Sequence, residues 1–181
     1  MSRHTSLAAA LVLIAFTVLA PGRAAPAATF GMTPNHVVGL WTNINDCLVA
    51  VADRLAADDG LRAEVDAMQP ARFQGKKPAD VLAKVAEFRT KLDELRASSG
   101  LGATRIYGTK GENITPSHVF LNSGYVLNSL VSWVIANTGP EQLVSPFYKR
   151  YEFSGKTPSD AFSMVDLANR RLGAILARTA G

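Results

Sequence analysis

Two histidines stand at matching places in the chain, and they are the side chains best suited to acid–base or metal chemistry. His36 and His118 each follow a Thr-Pro dipeptide, three residues after the threonine. A neutral imidazole can accept a backbone N–H or bind a metal ion, so the pair predicts a two-histidine metal or small-ligand site. No acidic residue shares the motif, and a firm metal site needs three or four ligands. The alternative, a helix-start residue copied by duplication, stays open.

A second motif combines a glycine turn with lysines. Phe73–Asp80 and Phe153–Asp160 share the pattern Phe-x-Gly-Lys-x-Pro-x-Asp, which lacks the spacing of a P-loop. Helix N-termini attract anions, so cations beside them can hold a phosphate, a carboxylate or an acidic partner. The candidate anion- or partner-binding residues are Lys76, Lys77, Lys156 and Arg150. The structural alternative gives each residue of the motif a turn, packing or capping role.

A third feature is a long segment without charge. From Val119 to Gly139 there is no charged side chain. A helix that is apolar on most of its circumference is usually buried, and the interspersed Asn and Ser argue against a membrane span. We expect the helix at 116–137 to contact a second copy, another protein or an apolar ligand, with burial under the connectors as the alternative. The predicted interaction face comprises Phe120, Tyr125, Leu127 and Trp133.

The sequence offers no recognisable catalytic set. It has no nucleophile-elbow motif, and its paired acids lie among polar residues. Cys47 is the single cysteine, so no intramolecular disulfide can form, and we expect it to be a small buried hydrophobe. The Cys-x-x-Cys-His motif for covalent haem is missing. We therefore predict a protein that is not an enzyme and needs no cofactor.

These motifs belong to an internal repeat. The Gly-Lys motif recurs after 80 residues, and Thr-Pro-x-His-Val recurs after 82. Each unit is a helix A, a connector and a helix B, and the two units cover about 33–97 and 115–178. Four prolines mark the helix starts, because proline is favoured at the first helical position. Apolar residues then recur at spacings of three and four, which is typical of amphipathic helices.

The elements predict an all-α protein. Four long amphipathic helices with connectors between them favour a four-helix up-down bundle, made of two tandem helical hairpins with pseudo-two-fold symmetry. The connectors at 58–69 and 140–149 can each form a short helix, and no segment reads convincingly as a strand.

The first residues have the order of a secretory signal peptide. An apolar run from Leu7 to Ala20 follows a short basic start, and Ala25–Ala27 offers a small-x-small cleavage site. The run is too short to span a bilayer comfortably. We expect residues 1–27 to be cleaved and 28–181 to form a single domain without a transmembrane segment, exported to the periplasm or secreted.

Cleavage also lowers the basic charge. Loss of Arg3 and Arg23 reduces the net charge from +4 to +2. A nucleic-acid binder needs a basic face, and none stands out, so nucleic acid is not an expected partner.

Together these patterns predict an exported, non-enzymatic binding or interaction module of unknown ligand or partner. The alternative is a periplasmic sensor that binds a small ligand or a metal through the symmetric histidine pair.

Overall fold

The computed structural model describes residues 31–55, 59–108, 113–138 and 145–179, and every regular element within these ranges is helical. The elements are α1 (Pro34–Leu55), α2 (Asp59–Ala67), α3 (Pro78–Ser98), α4 (Pro116–Thr138), a short 3-10 helix (Ser145–Tyr148) and α5 (Pro158–Thr179). The predicted all-helical class is confirmed for these residues, and the four long helices begin at the expected prolines. The predicted signal peptide lies outside the described residues.

The first turns of the four long helices meet at one end of the molecule. They line a small apolar cavity of about 10 Å³ that is open on one side. Its lining consists of each helix's first proline and the residue three positions later: Pro34, Val37, Pro78, Val81, Pro116, Val119, Pro158 and Ala161. Further along, the Trp41 indole N–H donates to Ser123 Oγ (2.8 Å), and these residues lie equally far from the starts of α1 and α4. Near the other end, Trp133 donates to Ser99 Oγ (3.0 Å), just past the end of α3. The four long helices therefore run in the same direction.

The predicted up-down arrangement is accordingly wrong, because it requires successive helices to alternate in direction. The chain instead returns to the starting end between long helices. Ten residues of extended chain span roughly 33 Å. That is about the length of α1, whose 22 residues rise roughly 1.5 Å each. The connectors are thus long enough to be return segments, whereas a hairpin needs only a short loop.

The neighbour relations also differ from the predicted hairpins. Both α1 and α3 pack mainly against α4 and α5. Since α1 and α3 share the same two neighbours, they occupy opposite corners of the bundle. The rings of Trp41 and Phe88 meet edge to face across the centre, with centroids 5.2 Å apart. Each sequence repeat therefore supplies a diagonal pair of helices and not a hairpin.

The return segments lie on the outside of the helices, and we call them strap 1 (residues 68–77), strap 2 (101–108) and strap 3 (149–157). Strap 1 lies along α5, where Ser163 Oγ donates to the Ala71 carbonyl. Strap 3 lies along α1, where Asn43 exchanges two hydrogen bonds with the Lys149 backbone (2.9 and 3.2 Å). Strap 2 lies over α3 and α4. Paired backbone groups keep these extended segments in place.

Buried polar side chains connect neighbouring helices inside the apolar core. Asn45 Nδ2 donates to the Met164 carbonyl (3.0 Å), and Asn45 Oδ1 accepts from Arg171 Nη1 (3.3 Å). Asn169 Nδ2 donates in the same way to the Lys84 carbonyl (3.1 Å). A buried polar group left without a partner costs about 1–3 kcal/mol, so these bonds fix the relative heights of α1, α5 and α3.

Candidate functional site

Both histidines lie in the first turn of a long helix and accept the backbone N–H of the threonine that precedes it. His36 Nδ1 accepts the Thr33 backbone N–H (3.1 Å) and lies 2.9 Å from Thr33 Oγ1. His118 Nδ1 makes the same contacts with Thr115, at 3.1 and 3.2 Å. The imidazole thus takes the place of the Glu or Gln that completes an ordinary capping box. This geometry requires an unprotonated Nδ1 and leaves Nε2 as the nitrogen open to another partner.

The rings of the two histidines contact different neighbours. His36 meets Phe120 edge to face, with centroids 6.4 Å apart, whereas His118 lies 6.3 Å from the Tyr107 ring. Among the described residues, no group of three or more His, Cys, Asp or Glu side chains is placed to hold a metal ion. The capping role is visible in the geometry, while the two-histidine metal site stays a prediction.

The Gly-Lys motifs are turns that dock onto the neighbouring helix. Gly75 and Gly155 have φ values of 68° and 66°, a region that favours glycine. After each turn, a side chain in the first turn of a neighbouring helix accepts a lysine backbone N–H. Lys76 N donates to Ser159 Oγ (3.1 Å), and Lys156 N donates to Asn35 Oδ1 (2.8 Å). The motif therefore fastens one helix start to another.

The side chains of these lysines lie over aromatic rings. Lys76 Nζ is 4.5 Å from the Phe162 centroid and 5.7 Å from that of Phe73. Lys156 Nζ is 5.4 Å from the Phe153 centroid. Cation–π contacts of this kind contribute about 0.5–1 kcal/mol at exposed sites. Packing against these aromatic rings accounts for the positions of both lysine side chains, in agreement with the structural alternative for the motif.

The other two predicted cations are on the surface. Lys77 is exposed, and the Arg150 side chain, 88% exposed, lies 3.4 Å from Glu152. No contact in the described residues points to an anion held by these four cations together, so that site also stays a prediction.

Asp160 completes the helix start that follows the second Gly-Lys turn. Its Oδ2 accepts both the Thr157 hydroxyl and the Thr157 backbone N–H, each at 2.7 Å. These bonds favour the ionised carboxylate and hold the pKa of Asp160 below its ordinary value. Asp80 accepts the Lys77 backbone N–H (2.8 Å) in the first repeat, where no threonine hydroxyl is present.

Two groups in and beside α1, the Cys47 thiol and the Tyr151 phenol, have raised pKa values. Cys47 is fully buried, as expected, and burial raises the pKa of its thiol far above the usual range. The Tyr151 hydroxyl donates to Asp46 Oδ2 (2.6 Å), which raises the pKa of Tyr151 to about 12. Both groups are therefore held in their protonated forms, and the Tyr151 bond ties strap 3 to α1.

The predicted interaction face on α4 needs correction. Leu127 and Trp133 are only 2% and 3% exposed, so a partner of the folded chain does not reach them. Phe120 and Tyr125 are half-buried, and Phe120 already packs against His36. The sequence showed a helix without charge, but it did not show which side of that helix faces the core.

The side of α4 that does face outward carries an uncharged stripe, which we call the α4 outer face. Its residues recur at alternating spacings of four and three and are half-buried or exposed: Leu121, Tyr125, Asn128, Ser132 and Ile135. Tyr148, half exposed, borders this face and donates its hydroxyl to Asn128 Oδ1 (3.1 Å). Tyr148 was not singled out by its sequence pattern, because only the folded chain brings it beside α4.

α4 is also the one helix among the described residues that is long and apolar enough to cross a membrane by length and composition. Its mean hydropathy is 1.4, and half of the scored stretch is buried inside the bundle. A core helix of a soluble protein meets the same criteria, so this finding is weak evidence for a membrane span.

Comparisons with known proteins add no relative. No protein-family model matches the chain, and neither a curated protein nor a solved structure matches it.

Proposed function

We propose that this chain is an exported binding module without catalytic activity, and that it binds its partner through the α4 outer face. The observation that supports this most directly is the stripe of uncharged side chains on α4 that the rest of the described chain leaves partly open. The stripe combines apolar and uncharged polar side chains, so a protein partner can cover it without burying a charge. Export rests on the order of basic start, apolar run and small residues in the first 27 positions.

The partner that we infer is a second copy of the chain. Spacings that alternate between four and three place side chains along the seam where two helices pack side by side. The same stripe on both copies is self-complementary under two-fold symmetry, which is the commonest symmetry of soluble oligomers. Asn128 near the middle of the stripe is a polar position of the kind that fixes register between paired helices.

Sedimentation equilibrium of residues 28–181 tests this proposal. We expect a reversible dimer, and Ile135→Glu should weaken dimerisation at least about tenfold, because a charge would be buried at the seam. Ala83→Glu, on the exposed side of α3, is the matched control and should leave dimerisation unchanged.

A monomer at every concentration would overturn the second-copy assignment. A photoreactive side chain at Ser132 then tests for a different partner in the exported fraction. If no adduct forms that Ile135→Glu abolishes, the binding-module proposal is wrong as well.

We also infer that the two repeats are related by about a quarter turn around the bundle axis, in place of the pseudo-two-fold symmetry expected from the sequence. The motif contact of α3 with α5, Lys76 N to Ser159, corresponds to that of α5 with α1, Lys156 N to Asn35. The asparagine contacts relate the same helices, because Asn169 of α5 donates to α3 and Asn45 of α1 donates to α5. A quarter turn exchanges two diagonal pairs, whereas a half turn returns each pair to itself.

The sensor alternative has less support. Both Nδ1 atoms are engaged by backbone N–H groups, and no third ligand accompanies them among the described residues.

A further inference from the structure

A cleft of about 140 Å³ lies between α3 and α4 beneath strap 2. Its lining is apolar apart from one amide, one phenol and two guanidinium groups: Leu82, Val85, Ala86, Arg89, Arg105, Ile106, Tyr107, Asn122 and Val126. Val85 and Val126 are buried, and they form the floor. Ile106 is 61% exposed and stands at the mouth, the most exposed large apolar side chain in the described chain.

The strap that forms the outer wall is fixed at several points. Asn122 Oδ1 accepts the Tyr107 N–H (3.1 Å), and Asn122 Nδ2 donates to the Tyr107 carbonyl (3.3 Å). Asp93 Oδ1 accepts the Thr104 N–H (2.8 Å), and Arg96 Nε donates to the Gly102 carbonyl (2.9 Å). The cleft is therefore formed before a ligand arrives, as is usual for small-molecule sites.

The two arginines give the cleft its chemical character. Within residues 31–55, 59–108, 113–138 and 145–179, neither Arg89 nor Arg105 forms an ion pair or a hydrogen bond through its guanidinium. The lining holds no acidic side chain, and the nearby Asp93 carboxylate accepts the backbone of Thr104. Arginine presents a planar pair of donors that matches a carboxylate. Two such groups above an apolar floor are complementary to a ligand with one anionic and one apolar end.

We propose that this cleft binds a small apolar monocarboxylate, with the carboxylate held by Arg89 and Arg105 and the hydrocarbon part against Val85 and Val126. The volume favours a ligand of about one aromatic ring, since a cavity of roughly 150 Å³ accommodates benzene. Ile106 at the mouth would lose contact with water when the ligand is bound. This site is separate from the α4 outer face and does not depend on the dimer.

Titration of the chain with sodium benzoate, followed by ¹H–¹⁵N NMR, tests the proposal. We expect saturable shifts centred on Val85, Val126 and Tyr107, with a Kd of about 1 mM or below, the range for a ligand of this size. Arg89→Gln and Arg105→Gln should each weaken binding about tenfold, since each removes one charged donor pair. Arg72→Gln, an exposed arginine on strap 1, is the matched control and should leave the Kd unchanged.

Two further titrations separate the parts of the proposal. Benzamide has the ring without the charge and should bind at least about tenfold more weakly if the arginines hold a carboxylate. Sodium acetate has the charge without the ring, and it should bind more weakly still if the apolar floor contributes. Shifts that do not saturate, that centre elsewhere, or that persist unchanged in both arginine variants would overturn the site.

Discussion

At the residue scale, the chain uses two kinds of acceptor for one capping task. The first helix of each repeat, α1 or α4, carries His36 or His118 three residues after the threonine that precedes the helix. The second helix, α3 or α5, carries Asp80 or Asp160 at the same position. Each accepts a backbone N–H that the helix itself leaves unpaired. The spacing of these residues from the proline was visible in the sequence because a cap is a local interaction.

The charge of Asp160 should contribute to stability in a pH-dependent way. Its folded-state pKa is lowered by the Thr157 hydroxyl and N–H, so its contribution is present above the ordinary carboxyl pKa and is lost as pH falls through the lowered value. We expect Asp160→Asn to lower the free energy of unfolding by about 1 kcal/mol at neutral pH. The difference in unfolding free energy between this variant and the parent chain should disappear at low pH, where the Asp160 carboxylate is protonated. Urea denaturation at a series of acidic pH values measures this difference.

Asp80→Asn is the comparison variant, because Asp80 occupies the same motif position with one backbone bond and no threonine partner. A gap for Asp160→Asn that stays constant down to the lowest pH would contradict a role for the carboxylate charge.

Other residue-scale contacts were not predictable from the sequence. Asn45 and Arg171 lie far apart along the chain, and each reads locally as an ordinary polar residue on a helix. Their pairing inside the core depends on which helices become neighbours. The same holds for Arg89 and Arg105, which are 16 residues apart along the chain and line one cleft only because strap 2 returns over α3.

At the scale of elements, the helices were predictable and the straps were not. Each long helix has a proline start and apolar residues at spacings of three and four, and in α1 the residues Val37, Trp41, Ile44 and Leu48, which follow this spacing, are buried. The straps have no periodic pattern, because each is held by side chains of other helices. Their extended path depends on tertiary contacts such as Asn43 with Lys149.

Two glycines should respond in opposite directions to alanine. Gly155→Ala should lower the free energy of unfolding by roughly 1–2 kcal/mol, because its φ of 66° disfavours a side chain although the surrounding space is open. Gly124→Ala should raise it by about 0.5–1 kcal/mol, since Gly124 lies inside α4 with no atom close to the added methyl group. Chemical denaturation of the two variants measures both effects, and a destabilised Gly124→Ala would show that α4 is packed more closely there than the structure indicates.

At the scale of the whole molecule, the decisive feature is that all four long helices start at one end. Parallel helices bring four positive helix ends together. The cavity between them is lined by prolines and aliphatic residues, so no backbone N–H of the first helical position points into it. The helix starts therefore meet through apolar side chains, and His36, Asp80, His118 and Asp160 each accept the N–H of the residue that precedes the helix.

Helix direction can be tested by cross-linking. Ser99 Oγ donates to Asn137 Oδ1 (3.1 Å), so the C-terminal ends of α3 and α4 are adjacent. We expect Ser99→Cys combined with Asn137→Cys to be joined by a short bismaleimide. Ser99→Cys combined with Ser117→Cys, at the opposite end of α4, should not react in this way. Cys47 is buried and should not compete. An up-down bundle would give the reverse result, and mass spectrometry of the digested chain distinguishes the two.

By itself, the sequence determined the helical class, the helix starts, the internal repeat and the buried stripe of α1. All of these depend on contacts within a few turns of one helix, where a periodicity of 3.6 residues and a capping spacing are sufficient. The tertiary structure alone decided helix direction, the diagonal pairing of the repeats and the side of α4 that faces outward. An apolar stripe can pack against a parallel or an antiparallel neighbour equally well. The parallel direction of the helices instead depends on the long straps, whose hydrogen-bond partners lie on the helices that they cross.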